Sequence, residues 1–279
     1  VAAGREIAVF GQPPANTLKS LILADPDFDV EIQKNNTDNE SISHSFGLKK
    51  FLPLGGTRKE AQAVSQLLGS QETDMYVGSE ATESLLMKTK SPKFLHLSTH
   101  GFFEPDQARK YNSIEMLPQY YTLSAQDPIG TPLSCSGLAL AGANRALLTL
   151  SSEGIVTAEK VLNLRLRGTE MVVLSACETG LGDVKNGEGV FGLRRAFAQV
   201  GAQSMVMSMW QVPENETKDL MIIFYDNIIN KKMDRCEALR QAALSIKNQI
   251  RDARGHTHPF FWGAFVFSGD PGDIHQKQA

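Results

Sequence analysis

Residues 171–177, with the sequence MVVLSAC, form the most apolar strand that the sequence predicts. The unbroken run of Met, Val and Leu is typical of a strand that is buried on both faces, and such a strand lies in the centre of a parallel sheet. Short apolar runs alternate with segments of helical period on both sides of it. This alternation predicts an α/β fold with a mainly parallel central sheet and helices on both faces.

The same pattern places the other elements along the chain. A helix that begins at Thr57 has the form of a capping box, in which the Thr57 hydroxyl caps the helix and Glu60 reaches back. Residues 104–134 form a connection rich in Pro, Gln, Tyr and Asp, and connections of this length are usually lids or binding loops. The remaining strands are predicted at 18–24, 75–77, 94–99, 204–210 and 263–267, and the remaining helices at 79–88, 158–162, around 190–200, 217–229 and 234–250.

Composition limits the classes of function. Hydrophobic residues make up 42% of the chain, so it can bury a sizeable core. The 28 Lys and Arg against 31 Asp and Glu give a net charge of -3, which argues against direct binding to nucleic acid or an anionic membrane. Three cysteines without close spacing argue against a disulfide framework and a zinc site. No apolar run reaches the roughly 18 residues of a membrane helix, so we expect a cytoplasmic protein without a metal or cofactor.

Two reactive side chains are predicted at the carboxyl ends of strands. His100 follows the strand at 94–99, and Cys177 ends the strand at 171–177. Because the carboxyl ends of parallel strands meet at the ligand crevice, the two residues can converge. A thiol polarised by an imidazole is a nucleophile, and the amides of Gly101 and Cys177 can donate to the oxyanion. The alternative is that Cys177 is a buried apolar cysteine and His100 a hydrogen-bonded strand end.

Other candidate sites have simpler explanations. Cys236 lies in an amphipathic helix, where a small apolar side chain packs. His96 and His100 lie about 13 Å apart along a strand, so they do not share a metal ion. The sequence GEGVFG at 187–192 matches the dinucleotide fingerprint, but it does not directly follow its strand, and nearby acidic residues would repel a pyrophosphate. A tight turn explains these glycines better.

Several segments, taken together and in order, resemble the CHAT domain, a caspase-like domain that is often fused to tetratricopeptide repeats. The segments are LHLSTHG at 95–101, SGLALAGAN at 136–144, VLSACETGLG at 173–182, GEGV at 187–190, SMWQV at 208–212 and PFFWGAF at 259–265. Leu52-Pro53, TRKEA at 57–61 and residues 78–82 extend the resemblance toward the N-terminus. It therefore covers residues 18–270.

The resemblance implies a caspase-like three-layer sandwich and a cysteine endopeptidase of the caspase and separase clan. It implies that Cys177 is the nucleophile, that His100 is the general acid and base, and that the amides of Gly101 and Cys177 bind the oxyanion. Trp210 resembles a wall of the substrate pocket. Gln211 stands where many caspases have arginine, and Ser175 stands where they have glutamine or aspartate, so the caspase preference for aspartate is not implied.

The resemblance also implies a domain organisation. Residues 18–270 form the peptidase domain without its N-terminal part, between an extension or linker at 1–17 and a tail at 271–279. CHAT domains usually have further sheet and helix upstream, often preceded by repeats. Because the chain starts at Val1 rather than Met, we expect it to begin inside a longer gene product. The expected partners are a protein substrate and an activating partner or upstream repeat region.

Charges near the predicted site favour a basic substrate side chain. If residues 171–177 alternate between faces, Ser175 lies near the pocket and offers a neutral hydroxyl. The neighbouring loops carry Asp183, Glu188 and Glu214. Their field favours Lys or Arg at P1, the substrate residue whose carbonyl is attacked. Alternatively, Glu188 and Glu214 stabilise the starts of the helices in which they are predicted.

The leading hypothesis is a cysteine endopeptidase that cleaves a protein substrate through His100 and Cys177. We expect its activity to be controlled by an upstream region or a partner, and the connection at 104–134 is a candidate switch because it directly follows His100-Gly101. The alternative from another class is a catalytically silent scaffold or interaction module with the caspase fold. A nucleotide-binding enzyme built on residues 187–192 is a third, weaker hypothesis.

Overall fold

The structure, a computed structural model, describes residues 19–31, 50–103, 136–149, 153–175, 177–178, 188–210 and 213–272. Its strands are β1 (Ser20–Pro26), β2 (Thr73–Gly78), β3 (Phe94–Ser98), β4 (His100–Phe103), β5 (Ser136–Ala139), β6 (Ile155–Thr157), β7 (Met171–Leu174), β8 (Cys177–Glu178), β9 (Ser204–Ser208) and β10 (Phe265–Gly269). Its helices are α1 (Thr57–Leu68), α2 (Glu83–Lys88), α3 (Ala143–Thr149), α4 (Ala158–Val161), α5 (Glu188–Gln199), α6 (Glu214–Ile229) and α7 (Arg235–Arg254), with a 3-10 turn at Pro259–Phe261.

Six strands form the main sheet, in the order β10-β9-β7-β3-β1-β2. Neighbouring strands are parallel except β9 and β10, which are antiparallel. β7 lies in the interior, where Val173 pairs with His96 of β3 on one side and with Val206 of β9 on the other. The predicted central position of this apolar strand is therefore confirmed, as is the mainly parallel sheet.

Helices cover both faces of the main sheet. On one face, α1, α6 and α7 pack against side chains such as Ile22 and Val173. On the other face, α2, α4 and α5 pack against the next residues along the same strands, Leu23 and Leu174. Successive side chains of β1 and β7 thus point to opposite faces, as strand geometry requires. The predicted fold class, an α/β sandwich with helices on both faces, is confirmed.

A second sheet, in the order β6-β5-β4-β8, is not predicted by the sequence pattern. β4 begins at His100, separated from β3 only by Thr99, and β8 begins at Cys177, shortly after β7. The predicted strand at 94–99 is confirmed by β3 to within one residue, whereas the predicted single strand at 171–177 is wrong, because this segment leaves the main sheet after Leu174 and pairs again from Cys177 in the second sheet. The strands of the second sheet have only two to four residues, too few for their periodicity to be recognised.

The predicted capping box at the start of α1 is also wrong. The N-cap residue is Gly56, and the hydroxyl of Thr57 donates to the carbonyl of Leu54. Only 2% of the Glu60 side chain is exposed, and its Oε1 lies 2.9 Å from Nε2 of His96. Because a buried carboxylate needs a hydrogen-bonding partner, Glu60 serves to link α1 to β3 instead of capping the helix.

His96 connects two helices to the main sheet. Its Nε2 faces Glu60 on α1, and its Nδ1 lies 3.1 Å from the hydroxyl of Tyr225 on α6. All three groups are satisfied when Nε2–H donates to the carboxylate and the Tyr225 hydroxyl donates to Nδ1. Glu60, His96 and Tyr225 are called the buried polar cluster below, and they hold α1 and α6 against β3.

Tyr225→Phe should lower the free energy of unfolding by about 1–3 kcal/mol, because Nδ1 of His96 then loses its buried partner. Burial and, after it, the charge of Glu60 hold the pKa of Tyr225 well above its ordinary value of 10.0. The folded chain therefore keeps this proton at a pH at which the unfolded chain releases it. The contribution of this hydroxyl to stability is complete below about pH 10 and decreases as the pH rises further.

Urea unfolding at a series of pH values from neutral to alkaline measures both effects. Tyr76→Phe is the matched control, because Tyr76 is a half-buried tyrosine of β2 outside the buried polar cluster. We expect the alkaline loss of stability to be smaller in Tyr225→Phe than in the wild type and in Tyr76→Phe. Equal alkaline losses in all three proteins would contradict this role of the Tyr225 hydroxyl.

Candidate active site

The candidate site lies at the carboxyl edge of the main sheet. The strands β3, β7 and β9 are neighbours in this sheet. His100 follows β3, Cys177 follows β7 and Trp210 follows β9. Because parallel strands end at the same edge, the fold places these three positions at the edge where open α/β sheets bind their ligands.

The second sheet places His100 and Cys177 side by side. β4 and β8 are parallel, and His100 is the partner of Cys177 in their register. Neighbouring strands lie about 4.8 Å apart, so the backbones of the two residues are adjacent. For Cys177 the structure describes the backbone and not the thiol. The two backbones therefore converge, and the catalytic roles of the side chains stay predictions.

A main-chain carbonyl fixes the imidazole of His100. Its Nε2 lies 2.7 Å from the carbonyl oxygen of Leu52. Because a carbonyl oxygen only accepts hydrogen bonds, Nε2 carries a hydrogen. In a neutral imidazole the other nitrogen, Nδ1, is then unprotonated. Nδ1 is therefore the atom of His100 that can take up a proton.

Two aromatic rings flank this imidazole. The ring of Phe51 stacks on it with 5.7 Å between centroids, and the ring of Phe28 lies 5.3 Å away. Both rings belong to an apolar cluster with Phe102 of β4 and residues of β5 and β6. His100 is 5% exposed as a result. The imidazole is thus held in one place by packing as well as by its hydrogen bond.

The surroundings of His100 keep it neutral. Burial, the largest effect, lowers its pKa below the ordinary value of 6.5. The hydrogen bond to Leu52 and the charge of Glu214 act in the opposite direction without reversing the shift. At neutral pH the imidazole is therefore uncharged, and Nδ1 can act as a base.

Gly101 follows His100 on β4. It pairs with Leu138 of β5 on one side and with Glu178 of β8 on the other. It is therefore an interior residue of the second sheet, immediately after His100. The predicted role of its amide, and of the Cys177 amide, in binding an oxyanion stays a prediction.

Ser175 lies between the two sheets. Its amide donates to the carbonyl of Leu97, its side chain is buried, and its hydroxyl has no hydrogen-bond partner within the described ranges. Because β7 ends at Leu174 and β8 begins at Cys177, Ser175 belongs to neither strand, and the argument from strand alternation is wrong. Contact between Ser175 and a substrate stays a prediction.

Trp210 presents apolar surface at the same edge. Its Nε1 donates to the carbonyl oxygen of Phe260 at 3.0 Å. Both side chains remain partly open to solvent, with 36% of Trp210 and 41% of Phe260 exposed. A hydrogen bond thus fixes an indole that stays accessible, which is what a wall of a binding pocket requires.

Glu188 and Glu214 are the first residues of α5 and α6. Negative charge at a helix start is favourable, so their alternative explanation as stabilisers of helix starts agrees with their positions. Glu214 has a second effect, because its exposed carboxylate acts electrostatically on His100. It therefore adds negative charge near the candidate dyad.

The other candidate residues form no second site in the described structure. Asp183, Gln211 and the connection predicted at 104–134 lie outside the described residues. Cys236 is an exposed free cysteine on α7, so its predicted packing is wrong. Within the described ranges, no group of three or more His, Cys, Asp and Glu is placed to hold a metal ion. None of the helices described is long and apolar enough to cross a membrane.

Sequence reasoning misses the groups that hold His100. The carbonyl of Leu52 and the rings of Phe28 and Phe51 come from segments far from His100 in the chain. Every residue has a main-chain carbonyl, so this partner leaves no signal in the residue types. The only available signal was that Leu52-Pro53 belongs to the segments that carry the family resemblance.

Comparisons with known proteins agree with this resemblance. The model of the CHAT domain family matches residues 2–270. Tetratricopeptide repeat protein 28 of Homo sapiens is 28% identical over 220 residues, which are 78% of this chain and 8% of that protein. The Mus musculus protein of the same name is 27% identical over 220 residues, which are 78% of this chain and 9% of that protein. This chain therefore spans less than a tenth of the length of these relatives.

Among solved structures, a crystal structure of the Arg-specific cysteine proteinase gingipain R is similar to this chain. The match has a TM-score of 0.48 and 9% sequence identity, and it covers 91% of this chain and 46% of that chain.

Proposed function

Since the chain belongs to the CHAT domain family, we propose that it is a cysteine endopeptidase with Cys177 as nucleophile and His100 as general acid and base. The observation that carries this proposal is the register of β4 and β8, which pairs the two residues. The hydrogen bond from His100 to Leu52 supports it, because it leaves Nδ1 as the proton acceptor.

The proposed reaction starts with the transfer of the Cys177 thiol proton to Nδ1 of His100. The sulfur then bonds to the carbonyl carbon of the scissile peptide. When the C–N bond breaks, the imidazolium gives its proton to the leaving amine. Water hydrolyses the resulting thioester, with His100 taking a proton from the water and returning it to the sulfur. The products are a new amine, a carboxylic acid and the free thiol.

Leu52 supports His100 in every step of this reaction. Its carbonyl accepts the hydrogen of Nε2, so the imidazole keeps one orientation while Nδ1 gains and loses its proton. The partial negative charge of the carbonyl oxygen also stabilises the imidazolium that forms when Nδ1 is protonated. This is the task that a carboxylate performs in a Ser-His-Asp triad.

A cleavage profile on a diverse peptide library tests the proposed function. The wild-type chain should cleave peptides at defined bonds, and the Cys177→Ala chain should leave the library intact. Cleavage at the same bonds by both chains would reveal a contaminating peptidase and contradict the proposal.

The same library tests the predicted preference for a basic P1 residue. The carboxylate of Glu214 acts on His100, so its charge should also attract Lys or Arg at P1. We expect cleavage after Arg and Lys to exceed cleavage after Asp, and Glu214→Gln should reduce the ratio of the two by about 3- to 10-fold.

Glu216→Gln is the matched control for this prediction. Glu216 lies in the same first turn of α6 as Glu214 and pairs with Arg254 at 2.8 Å. Glu216→Gln and Glu214→Gln each remove one carboxylate, so the two variants have the same change in net charge. The P1 ratio should stay at the wild-type value in this control. A wild-type profile that prefers Asp over Arg and Lys would reject the predicted preference.

We also propose that the activity is controlled in the cytoplasm by a tetratricopeptide repeat region or by another bound protein. The relatives, which are named as tetratricopeptide repeat proteins, support this proposal. The segment that matches this chain is less than a tenth of their length. An intracellular endopeptidase without control would damage its host, so regulation is expected of this chemistry.

A further inference from the structure

Asn144 of α3 pairs with the main chain of Phe51. It is 5% exposed. Its Oδ1 accepts from the amide of Phe51 at 2.7 Å, and its Nδ2 donates to the carbonyl of Phe51 at 2.9 Å. The side chain therefore satisfies both main-chain groups of one residue, as a neighbouring strand would.

Asp29 fixes the orientation of this side-chain amide. Nδ2 of Asn144 also donates to Oδ1 of Asp29 at 3.1 Å. Hydrogen bonds from Lys50 and then from Asn144 hold the pKa of Asp29 below its usual value, so this group is a carboxylate at neutral pH. Because a carboxylate only accepts, it must face the NH2 end of the amide, and Oδ1 must face the amide of Phe51.

Asn144 also holds the second ring beside His100. Its main-chain amide donates to the carbonyl of Phe28 at 2.9 Å. Phe28 and Phe51 are the residues whose rings flank the imidazole. Leu52, which accepts the hydrogen of Nε2, follows Phe51 directly, and the proline after it restricts Leu52 to an extended conformation.

We propose that Asn144 is a positioning residue for His100. By holding Phe28, Phe51 and thereby Leu52, it fixes the orientation of the imidazole and the nitrogen that carries the hydrogen. This assigns a role to the last residue of the segment SGLALAGAN at 136–144. The part of the proposal that concerns catalysis rests on the proposed function, whereas the part that concerns the imidazole does not.

Nitrogen-15 NMR of the His100 imidazole tests the proposal without any substrate. The wild-type chain should show mainly the tautomer with hydrogen on Nε2. In Asn144→Ala the fraction of this tautomer should fall. The pKa of His100 should rise toward its ordinary value, because a loosened site admits water, and the burial that lowers this pKa outweighs the hydrogen bond to Leu52 that raises it. Among the described residues, the charged group that acts on His100 is the carboxylate of Glu214, and it is unchanged in this variant.

Asn227→Ala is the matched control. Asn227 is a buried asparagine of α6 whose Nδ2 donates to the carbonyl of Ala238 at 3.0 Å, so the substitution removes the same group from another part of the core. The tautomer and the pKa of His100 should stay at their wild-type values in this control. If Asn144 had a merely structural role, Asn144→Ala and Asn227→Ala would have the same effect on the tautomer and the pKa of His100.

The kinetic arm uses the peptides cleaved by the wild-type chain. Asn144→Ala should lower kcat by about 10- to 100-fold with KM changed less than about threefold, because a displaced base impairs the reaction more than binding. The acid limb of the pH profile should move to higher pH with the pKa of His100. If neither the wild-type chain nor the longer form with its partner cleaves a peptide, the proposed function fails and the tautomer measurement still decides the inference.

Asn144→Asp is the second variant, should the alanine variant fail to fold. It keeps the size and the acceptor of Asn144 but lacks the donors to Phe51 and Asp29. A wild-type chain with the hydrogen mainly on Nδ1 would overturn the inference by itself. Folded Asn144 variants with the wild-type tautomer and an unchanged pH profile would also overturn it.

Discussion

Cys177→Ala and His100→Ala should each lower kcat/KM for a cleaved peptide by at least about a thousandfold. The first variant lacks the nucleophile, and the second lacks the base that activates it. Because the two residues act as a unit, the double variant should be scarcely less active than either single variant. Steady-state kinetics of the four proteins on one peptide measure these effects.

Cys236→Ala is the control for the cysteine variant. Cys236 is an exposed free cysteine on α7, so its loss should leave kcat/KM unchanged. His100→Ala also removes a ring that packs against both Phe28 and Phe51, and it removes the partner of the Leu52 carbonyl. Its unfolding transition should therefore be measured, with an expected loss of about 1–3 kcal/mol. Wild-type turnover by a folded Cys177→Ala chain would contradict the assignment.

The second large effect concerns regulation. A longer form, in which this chain is joined to the proposed upstream repeat region and bound to the proposed activating partner where one is required, should have a kcat/KM about 10- to 1000-fold above that of this chain. This range follows if the isolated chain populates the competent state to about 0.1–10%. A peptide that the isolated chain cleaves slowly serves as the common substrate.

Cys177→Ala in the longer form is the control, because it keeps the upstream region and lacks the nucleophile. A variant with residues 106–130 shortened separates a contribution of this connection from that of the upstream region. Equal turnover by the isolated chain and the longer form, with the connection intact or shortened, would show that neither part controls activity.

The main sheet could be predicted from the sequence because its strands are apolar and its helices have a clear period. Residues 171–174 are buried on both faces, and this is what their composition indicates. The break after Leu174 could not be predicted, since Ser175-Ala176, the residues before β8, include no Gly, Pro, Asn or Asp. The second sheet, which sets the register of His100 and Cys177, could therefore not be predicted and is seen only in the structure.

His100 and Cys177 could be proposed as candidate residues from the sequence, but the groups that hold His100 in place could not. Histidine and cysteine are rare reactive residues, so their positions in the sequence carry information. The groups that hold His100 are a main-chain carbonyl and side chains such as Phe51 and Asn144, which usually serve packing and turns. Likewise, Glu60 matches the capping-box pattern of α1, and only its burial against His96 reveals another role.

The most direct test of the central claim is labelling by an electrophilic peptide that alkylates activated thiols, followed by mass-spectrometric mapping of the modified residue. It should be done on this chain and on the longer form. The account predicts modification of Cys177 in the wild type, none at the exposed Cys236, and loss of labelling in His100→Ala. Two results would contradict this account: labelling of Cys177 that does not depend on His100, or no labelling of Cys177 in the longer form with its partner. Either result is expected of a catalytically silent scaffold.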